Sequence, residues 1–351
     1  MKECLNTLAT DSGSALAVVP QALDPVPPDI GMGSGPRGQT YYEVASNLAQ
    51  AANAHGVPLV NIETKGTFQN LSTVVSKRNM ALVFAQADAL EAVKASEQRS
   101  VRMVMSLYQE EVHVLSRRTT LTGNTPLLRL ADLKGRRVLV SDRSDGSAYT
   151  TRRLLKLAGM EPGGDEPQPK LLAGAEAPRP PTVTVQTMAP TRALCSVIVG
   201  EAEAMVIVAG QPVGLLRAVQ RLAHHPAHPL DPIQFMPLSV TDLRAASVAG
   251  VSPVFYEPAR IERRSYPWAF DREDSRADVK TLAVRALLMS YDFSPRANAV
   301  QRQKCTALGA VVKLLKDPEV QARLCQLPNH RKWCRFDPDA SVPGWQANTC
   351  L

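Results

Sequence analysis

One stretch constrains the fold more than any other: Ile30-Gly31-Met32-Gly33-Ser34-Gly35-Pro36-Arg37-Gly38-Gln39-Thr40-Tyr41-Tyr42. Four glycines fall within eight residues, and a helical pattern follows at once. Glycine lets the backbone turn through positive φ and lets a ligand approach the bare chain. A helix starting there aims unpaired N–H groups and the positive end of its dipole into the loop. Such an element captures carboxylate or phosphate. Gly33-x-Gly35-x-x-Gly38 fits a dinucleotide fingerprint, with Glu63 where a ribose-binding acid would lie. The spacing of Gly33, Gly38 and Thr40 also fits a phosphate loop, but Gln39 stands where the phosphate-reaching lysine belongs, and that reading is set aside. A cradle for a small anion in a two-lobed protein and a plain glycine turn remain beside the dinucleotide site.

At 351 residues the chain is long enough for two lobes with their own cores. No apolar run reaches the roughly 18 residues of a membrane span. The first thirty residues lack the apolar stretch of a secretory signal. The chain is therefore expected either to be cytoplasmic or to be given without its leader. The net charge of +7 comes without a dense Lys/Arg run interleaved with aromatics, so no nucleic-acid footprint is indicated. A modest positive field suits acidic small ligands, or serves solubility alone. Six cysteines, at 4, 195, 305, 325, 334 and 350, form no C-x-x-C pair. Cys325 and Cys334 can bridge in an oxidising compartment or stay reduced.

Prolines at 20, 25, 27 and 28 predict a flexible lead-in over residues 1–28. Helical spacing predicts helices over 40–54, 68–77, 149–157, 192–199 and 295–315. Apolar runs predict strands over 57–63, 81–85, 101–107, 112–116, 138–140, 182–185, 204–208 and 233–238, with 279–289 a strand or extended core. Residues 161–181, rich in Pro, Gly and Glu, read as a surface insertion. His224, His225 and His228, with Asp231 nearby, sit in a proline-rich loop that reads as solvated rather than metal-binding. The role of the tail over 329–351 stays open. Strands alternating with helices give an α/β class with mostly parallel sheets. Loops 33–41, 64–70, 86–88, 143–148 and 210–212 each follow a strand, which is where ligands bind in open α/β sheets.

An ordered series of motifs carries a family resemblance. It runs from residues 30–42 through Glu63-Thr64-Lys65-Gly66-Thr67-Phe68-Gln69-Asn70-Leu71 and Val83-Phe84-Ala85-Gln86-Ala87-Asp88. It continues with Ser106-Leu107-Tyr108, Glu111-Val112-His113-Val114, residues 130–138, Asp145-Gly146-Ser147, 204–212 and 278–284. Across roughly 29–318 the chain resembles the TAXI-type solute-binding proteins of tripartite ATP-independent periplasmic (TRAP) transporters. The resemblance implies a type II periplasmic-binding-protein fold, two α/β lobes with a hinge and a ligand cleft between them. Lobe 1 would take 29–115 and 237–328, lobe 2 would take 116–236, and 329–351 would be a tail beyond the match. The implied task is non-enzymatic. A periplasmic monomer would capture a small organic anion, such as glutamate or a dicarboxylate, and deliver it to TRAP membrane subunits without cofactor, metal or nucleic acid.

Within that resemblance Ser34, Gly35, Gln39, Thr40 and Tyr41 would cradle one carboxylate, although Ser and Thr there can equally cap the helix. Thr67 and Asn70 would line the wall or merely cap the second helix, and Gln86 would bond the solute from a strand end or satisfy a neighbouring backbone group. Ser144, Gly146 and Ser147 would supply donors from the opposite lobe, with Gln211 beside them. Arg143 would be the counter-ion of a second acidic group, or a solvated surface residue as arginine usually is. Arg37, Gln39, Arg143, Asp145 and Gln211 depart from the smaller residues usual in these loops. No nucleophile–base constellation is visible in the sequence. A dinucleotide-dependent enzyme using the glycines at 33–38, and a cytoplasmic sensor of the same fold, are the alternatives.

Overall fold

Two long antiparallel strands join everything else. The computed structural model describes residues 1–9, 30–76, 80–93, 95–123, 125–164, 180–222, 230, 232–243, 253–270, 277–294 and 296–351. The chain opens with helix α1 (Lys2–Ala9). Strand β1 (Ile30–Gly33) leads through the glycine loop to α2 (Thr40–Ala54), and β2 (Leu59–Ile62) leads to α3 (Thr67–Ser76). Then come β3 (Met80–Gln86), α4 (Ala95–Gln98) and β4 (Val101–Arg117). The next group is β5 (Arg137–Val140), α5 (Gly146–Leu157), β6 (Pro162–Gly164), β7 (Val183–Thr187), α6 (Pro190–Val199), β8 (Ala204–Ala209) and α7 (Gly214–Ala218). Strands β9 (Ile233–Phe235), β10 (Glu257–Ile261) and β11 (Val279–Tyr291) follow, then helices α8 (Ala299–Lys316) and α9 (Pro318–Leu324).

The strands form a mixed α/β fold around one sheet, in the order β2-β1-β3-β11-β4-β8-β5-β7-β6. Two parallel sets, β2-β1-β3 and β8-β5-β7-β6, flank the antiparallel pair β11 and β4. The first part of β4 pairs with β11, and residues 111–116 pair with β8. Glu111 stands at the handover, opposite Ala283 on one side and Ala209 on the other. β4 therefore belongs to both halves of the molecule.

Burial explains the elements. α2 buries Val44, Ala45, Leu48, Ala49 and Ala52, the spacing of one helical face. That face begins with Tyr41 rather than Tyr42. Together with β1, β3, α8 and α9 it builds one core cluster. A second cluster gathers α6, β8 and an aromatic group of Phe235, Tyr266, Trp268 and Phe270. A third takes Leu71 and Val74 from one half and Val138 and Leu154 from the other, and so runs through both.

Four expectations are corrected. Residues 101–117 form one strand rather than two, because Glu110 and Glu111 are buried in its middle instead of turning the chain. The start of the lead-in is a helix, fastened by a disulfide from Cys4 to Cys195 of α6. The start of the 161–181 insertion is edge strand β6, paired with β7, while 165–179 lies outside the described residues. The helix expected over 295–315 starts at Ala299, where Asn298 accepts from the Gln301 N–H at 2.9 Å. The histidine loop, at 224, 225 and 228, and Asp231 lie outside the described residues. No described helix is long and apolar enough to cross a membrane.

Candidate functional site

The glycine loop is pinned from beneath. Ser34 is buried, and its Oγ donates to Asn61 Oδ1 at 2.6 Å. Asn70 Nδ2 donates to the carbonyls of Ser34 and Phe84, both at 2.7 Å, tying the loop to β3. Gly33 is required by close approach, since a β-carbon there would stand 2.8 Å from Met80 Sδ and 3.0 Å from Asn70 Oδ1. Gly35 packs against Tyr41, and Gly38 turns the chain at φ +76°. Gln39 precedes α2 without a side-chain cap bond. On the outer side, exposed Arg37 pairs with Glu63 at 2.9 Å.

From this loop one side chain reaches the other half and a second reaches the shared strand β4. Thr40 Oγ1 donates to the Gly210 carbonyl at 2.7 Å, and the Tyr41 hydroxyl donates to Glu110 Oε2 at 2.7 Å. The strand order β2-β1-β3 puts β1 between its two successors, as in flavodoxin-like sheets. A dinucleotide fold places its third strand beyond the second, so the G-x-G-x-x-G spacing occurs here without the topology that gives it its function.

The third loop closes on the first half. Asp145 caps α5, accepting from the Ser147 N–H at 3.1 Å and from the Ser141 hydroxyl. Ser147 is buried, its Oγ bonded to the Val208 N–H at 3.1 Å and near the Val208 carbonyl at 3.3 Å. The Phe68 N–H donates to the Ser144 carbonyl at 3.0 Å. Gly146 lies against Gln86 and Thr67, where a β-carbon would overlap Gln86 Oε1. Thr67 Oγ1 in turn accepts from the Gln86 N–H at 3.3 Å. Thr150 of α5 donates to Asp88 Oδ2 at 2.7 Å, and the Tyr256 hydroxyl donates to the same oxygen at 2.9 Å. Arg143, by contrast, is exposed at the loop tip, away from these contacts.

Gln211 closes the ring. Its N–H donates to Glu111 Oε2 at 2.9 Å, its Nε2 to the Arg260 carbonyl at 2.7 Å, and its Oε1 accepts from the Glu262 N–H at 2.9 Å. Against the other Glu111 oxygen lies Lys332 from the C-terminal tail, Nζ to Oε1 2.5 Å, with both side chains 2% exposed. Buried His330 precedes it, with Nε2 3.3 Å from the Pro212 carbonyl.

The layer is rich in buried titratable groups. Burial pushes the Glu110 carboxyl well above the usual carboxylate range; Tyr41 and Lys332 oppose the push, and Asp145 adds to it. Burial also raises Asp88, against its bonds from Thr150 and Tyr256 and the Arg153 charge, and it raises Asp145 against Ser141 and Ser147. It lowers His113 and His330 to about 4 each. Perturbed groups gathered at a junction of strand ends mark a functional site more often than chance. Among the described residues no group of three or more His, Cys, Asp or Glu is arranged to hold a metal.

The structure thus brings Ser34, Gly35, Thr40, Tyr41, Thr67, Asn70, Gln86, Ser144, Gly146, Ser147 and Gln211 to one junction, with Gln39 at its rim and Arg143 outside it. Sequence reasoning left Glu110, Glu111, Asp88, Thr150 and Lys332 off the site. The signal for the first two was available, since Gln109-Glu110-Glu111 interrupts a run that is otherwise largely apolar. Nothing local marks Lys332.

A mixed α/β sheet in two parallel sets, joined by shared strands around a polar junction, is the class that the geometry defines. The chain belongs to the NMT1-like family, whose model matches residues 32–297. Similar solved structures include XAC2383 from Xanthomonas citri bound to ATP, at TM-score 0.46 and 12% identity over 88% of this chain and 90% of that one. The periplasmic aliphatic sulphonate binding protein SsuA from Escherichia coli matches at 0.42 and 14%, over 86% and 78%. The substrate binding protein of an amino acid ABC transporter matches at 0.39 and 11%, over 84% and 97%. No curated protein sequence matches the chain.

Proposed function

We propose that the chain is an extracytoplasmic solute receptor that takes a small organic acid or amino acid between its two halves and hands it to TRAP-transporter membrane subunits. One observation carries the reading. Loops that follow β1, β3, β5 and β8 meet at a single buried polar layer, and β4 links the two parallel sets by passing through it. Such strands bend as a hinge, and binding energy then comes from closing the halves on the solute. The lobes are residues 29–115 with 237–328, and 116–236. Ser34, Gly35, Gln39, Thr40, Tyr41, Thr67, Asn70 and Gln86 form one wall, and Ser144, Gly146, Ser147 and Gln211 the other. Arg143 swings in as the counter-ion of a second acidic group. The three disulfides, Cys4–Cys195, Cys305–Cys350 and Cys325–Cys334, support an oxidising, extracytoplasmic setting over a cytoplasmic sensor.

The test is thermal stability against a panel of amino acids, dicarboxylates and 2-oxoacids, with NAD as the competing class. A solute at about 100 times its Kd adds roughly 2.7 kcal/mol. Stabilisation by one organic acid or amino acid is the expected result. Stabilisation by NAD alone would refute the receptor.

A further inference from the structure

The C-terminal tail does more than follow α9. It crosses the molecule as a strap fastened by disulfides, Cys325–Cys334 at one end and Cys305–Cys350 at the other. Between them the Trp345 Nε1 donates to the Ala87 carbonyl at 2.8 Å, beyond the end of β3. Lys332 is the strap's only lysine (residues 325–350) and is 1% exposed.

Its surroundings come from both halves. The ammonium meets Glu111, the residue where β4 passes from one strand set to the other. It lies 5.9 Å from the centre of the Tyr108 ring, a cation–π distance. Its stem passes Gly210, where a β-carbon would stand 2.7 Å from Lys332 Cγ and 2.9 Å from both Cε and Thr40 Cγ2. Gly210 therefore leaves the channel that the lysine fills. The Lys332 N–H donates to His330 Nδ1 at 3.2 Å, which leaves the other ring nitrogen to donate to the Pro212 carbonyl. The Tyr108 hydroxyl is fully buried and has no hydrogen-bond partner among the described residues. A buried phenol without a partner marks a place where a polar group of a ligand gains a bond.

We infer that Lys332 is a tethered occupant of the solute site, holding the position of a primary ammonium group, so that the receptor's solutes are ammonium-bearing and must displace the strap. The inference rests on the receptor reading and narrows its substrate class. A carboxylate held by a backbone N–H on one oxygen and facing an aromatic ring recognises a primary ammonium, and a free anion there would meet Glu111 as a like charge. Occupation by a group of the same chain lowers apparent affinity by the fraction of molecules in which the site is free.

The test uses calorimetric titration of the full chain with its disulfides intact. The probes are n-butylammonium chloride, L-alanine and succinate. Against wild type, Lys332→Ala is expected to bind n-butylammonium and L-alanine at least about tenfold more tightly, with no binding of succinate by either protein. Should Lys332→Ala fail to fold, the pair Cys325→Ser with Cys334→Ser keeps the lysine but opens the disulfide loop that carries it, and a tightening in the same direction is expected. Wild-type affinity for both ammonium probes in a folded variant overturns the inference. Succinate binding with no ammonium binding overturns it while leaving the receptor intact. Failure of all three probes, together with the whole stability panel, overturns both.

Discussion

Replacing Lys332 by methionine keeps most of the volume that fills the channel beside Gly210 and removes the charge. Glu111 is then left 1% exposed, with only the Gln211 N–H on one oxygen. Breaking a buried pair by removing one partner costs about 3–5 kcal/mol, because the remaining charge is uncompensated. Unfolding entropy runs at about 2.1 cal/mol/K per residue, so 351 residues give roughly 740 cal/mol/K, and 1 kcal/mol corresponds to about 1.4 °C. Lys332→Met should therefore lower the melting temperature by about 4–7 °C. Glu111→Gln should cost a similar amount, since it strands the ammonium. The double variant removes both charges, so its loss should fall short of the sum by about 2–3 kcal/mol. Urea unfolding of the four proteins with disulfides intact measures the cycle. An exposed pair contributes about 0–1 kcal/mol. Single losses within that range, or strictly additive losses, would refute the placement of Lys332 at the junction.

Three further outcomes follow from the same contacts. His113 is held at about 4 by burial, against an ordinary 6.5, so the unfolded chain takes the proton first. Its contribution is full above pH 6.5 and is lost as pH falls toward 4, by about 3 kcal/mol. The raised carboxyls of Glu110, Asp88 and Asp145 work in the opposite sense, favouring the folded state as they protonate. Comparing urea unfolding of wild type and His113→Gln across pH 4–6.5 isolates the histidine, and parallel curves would contradict its burial. Ser147→Ala leaves the buried Val208 N–H without its 3.1 Å partner and should cost about 1–3 kcal/mol; a loss under about 0.5 kcal/mol would mean that this hydroxyl is free to face the cleft. Thiol titration of the denatured, unreduced protein should find no reactive cysteine, and six after reduction. Free thiols before reduction would remove the disulfide support for an extracytoplasmic setting.

Much of the fold was legible because local chemistry dictated it. The glycines before Thr40, the apolar run at 81–85 and the helical spacing of Ala45, Leu48, Ala49 and Ala52 each act within a few residues of chain. The site was legible in part. Ser34 and Gln86 stand at strand ends, and Asn70 and Ser147 in the first turns of the helices that follow, but their side chains spend their hydrogen bonds inside the protein. What sequence could not show was long-range pairing. Glu110 and Glu111 read as a break in a strand until Tyr41, 69 residues away, and Lys332, 221 residues away, supply their partners. Arg143 was the tempting cation because it sits in a loop with the right neighbours. The cation at the junction comes instead from a tail whose sequence carries no periodic or motif signal.

The central claim is that the two halves of this molecule close on a small organic solute, and native mass spectrometry of freshly purified chain tests it most directly. The prediction is one small organic molecule bearing a carboxylate or an ammonium group per chain, released on denaturation, or taken up one to one when the stripped protein meets the panel of amino acids and carboxylates. A nucleotide as the released species, or an unchanged bare mass with every member of that panel at millimolar concentration, would contradict it.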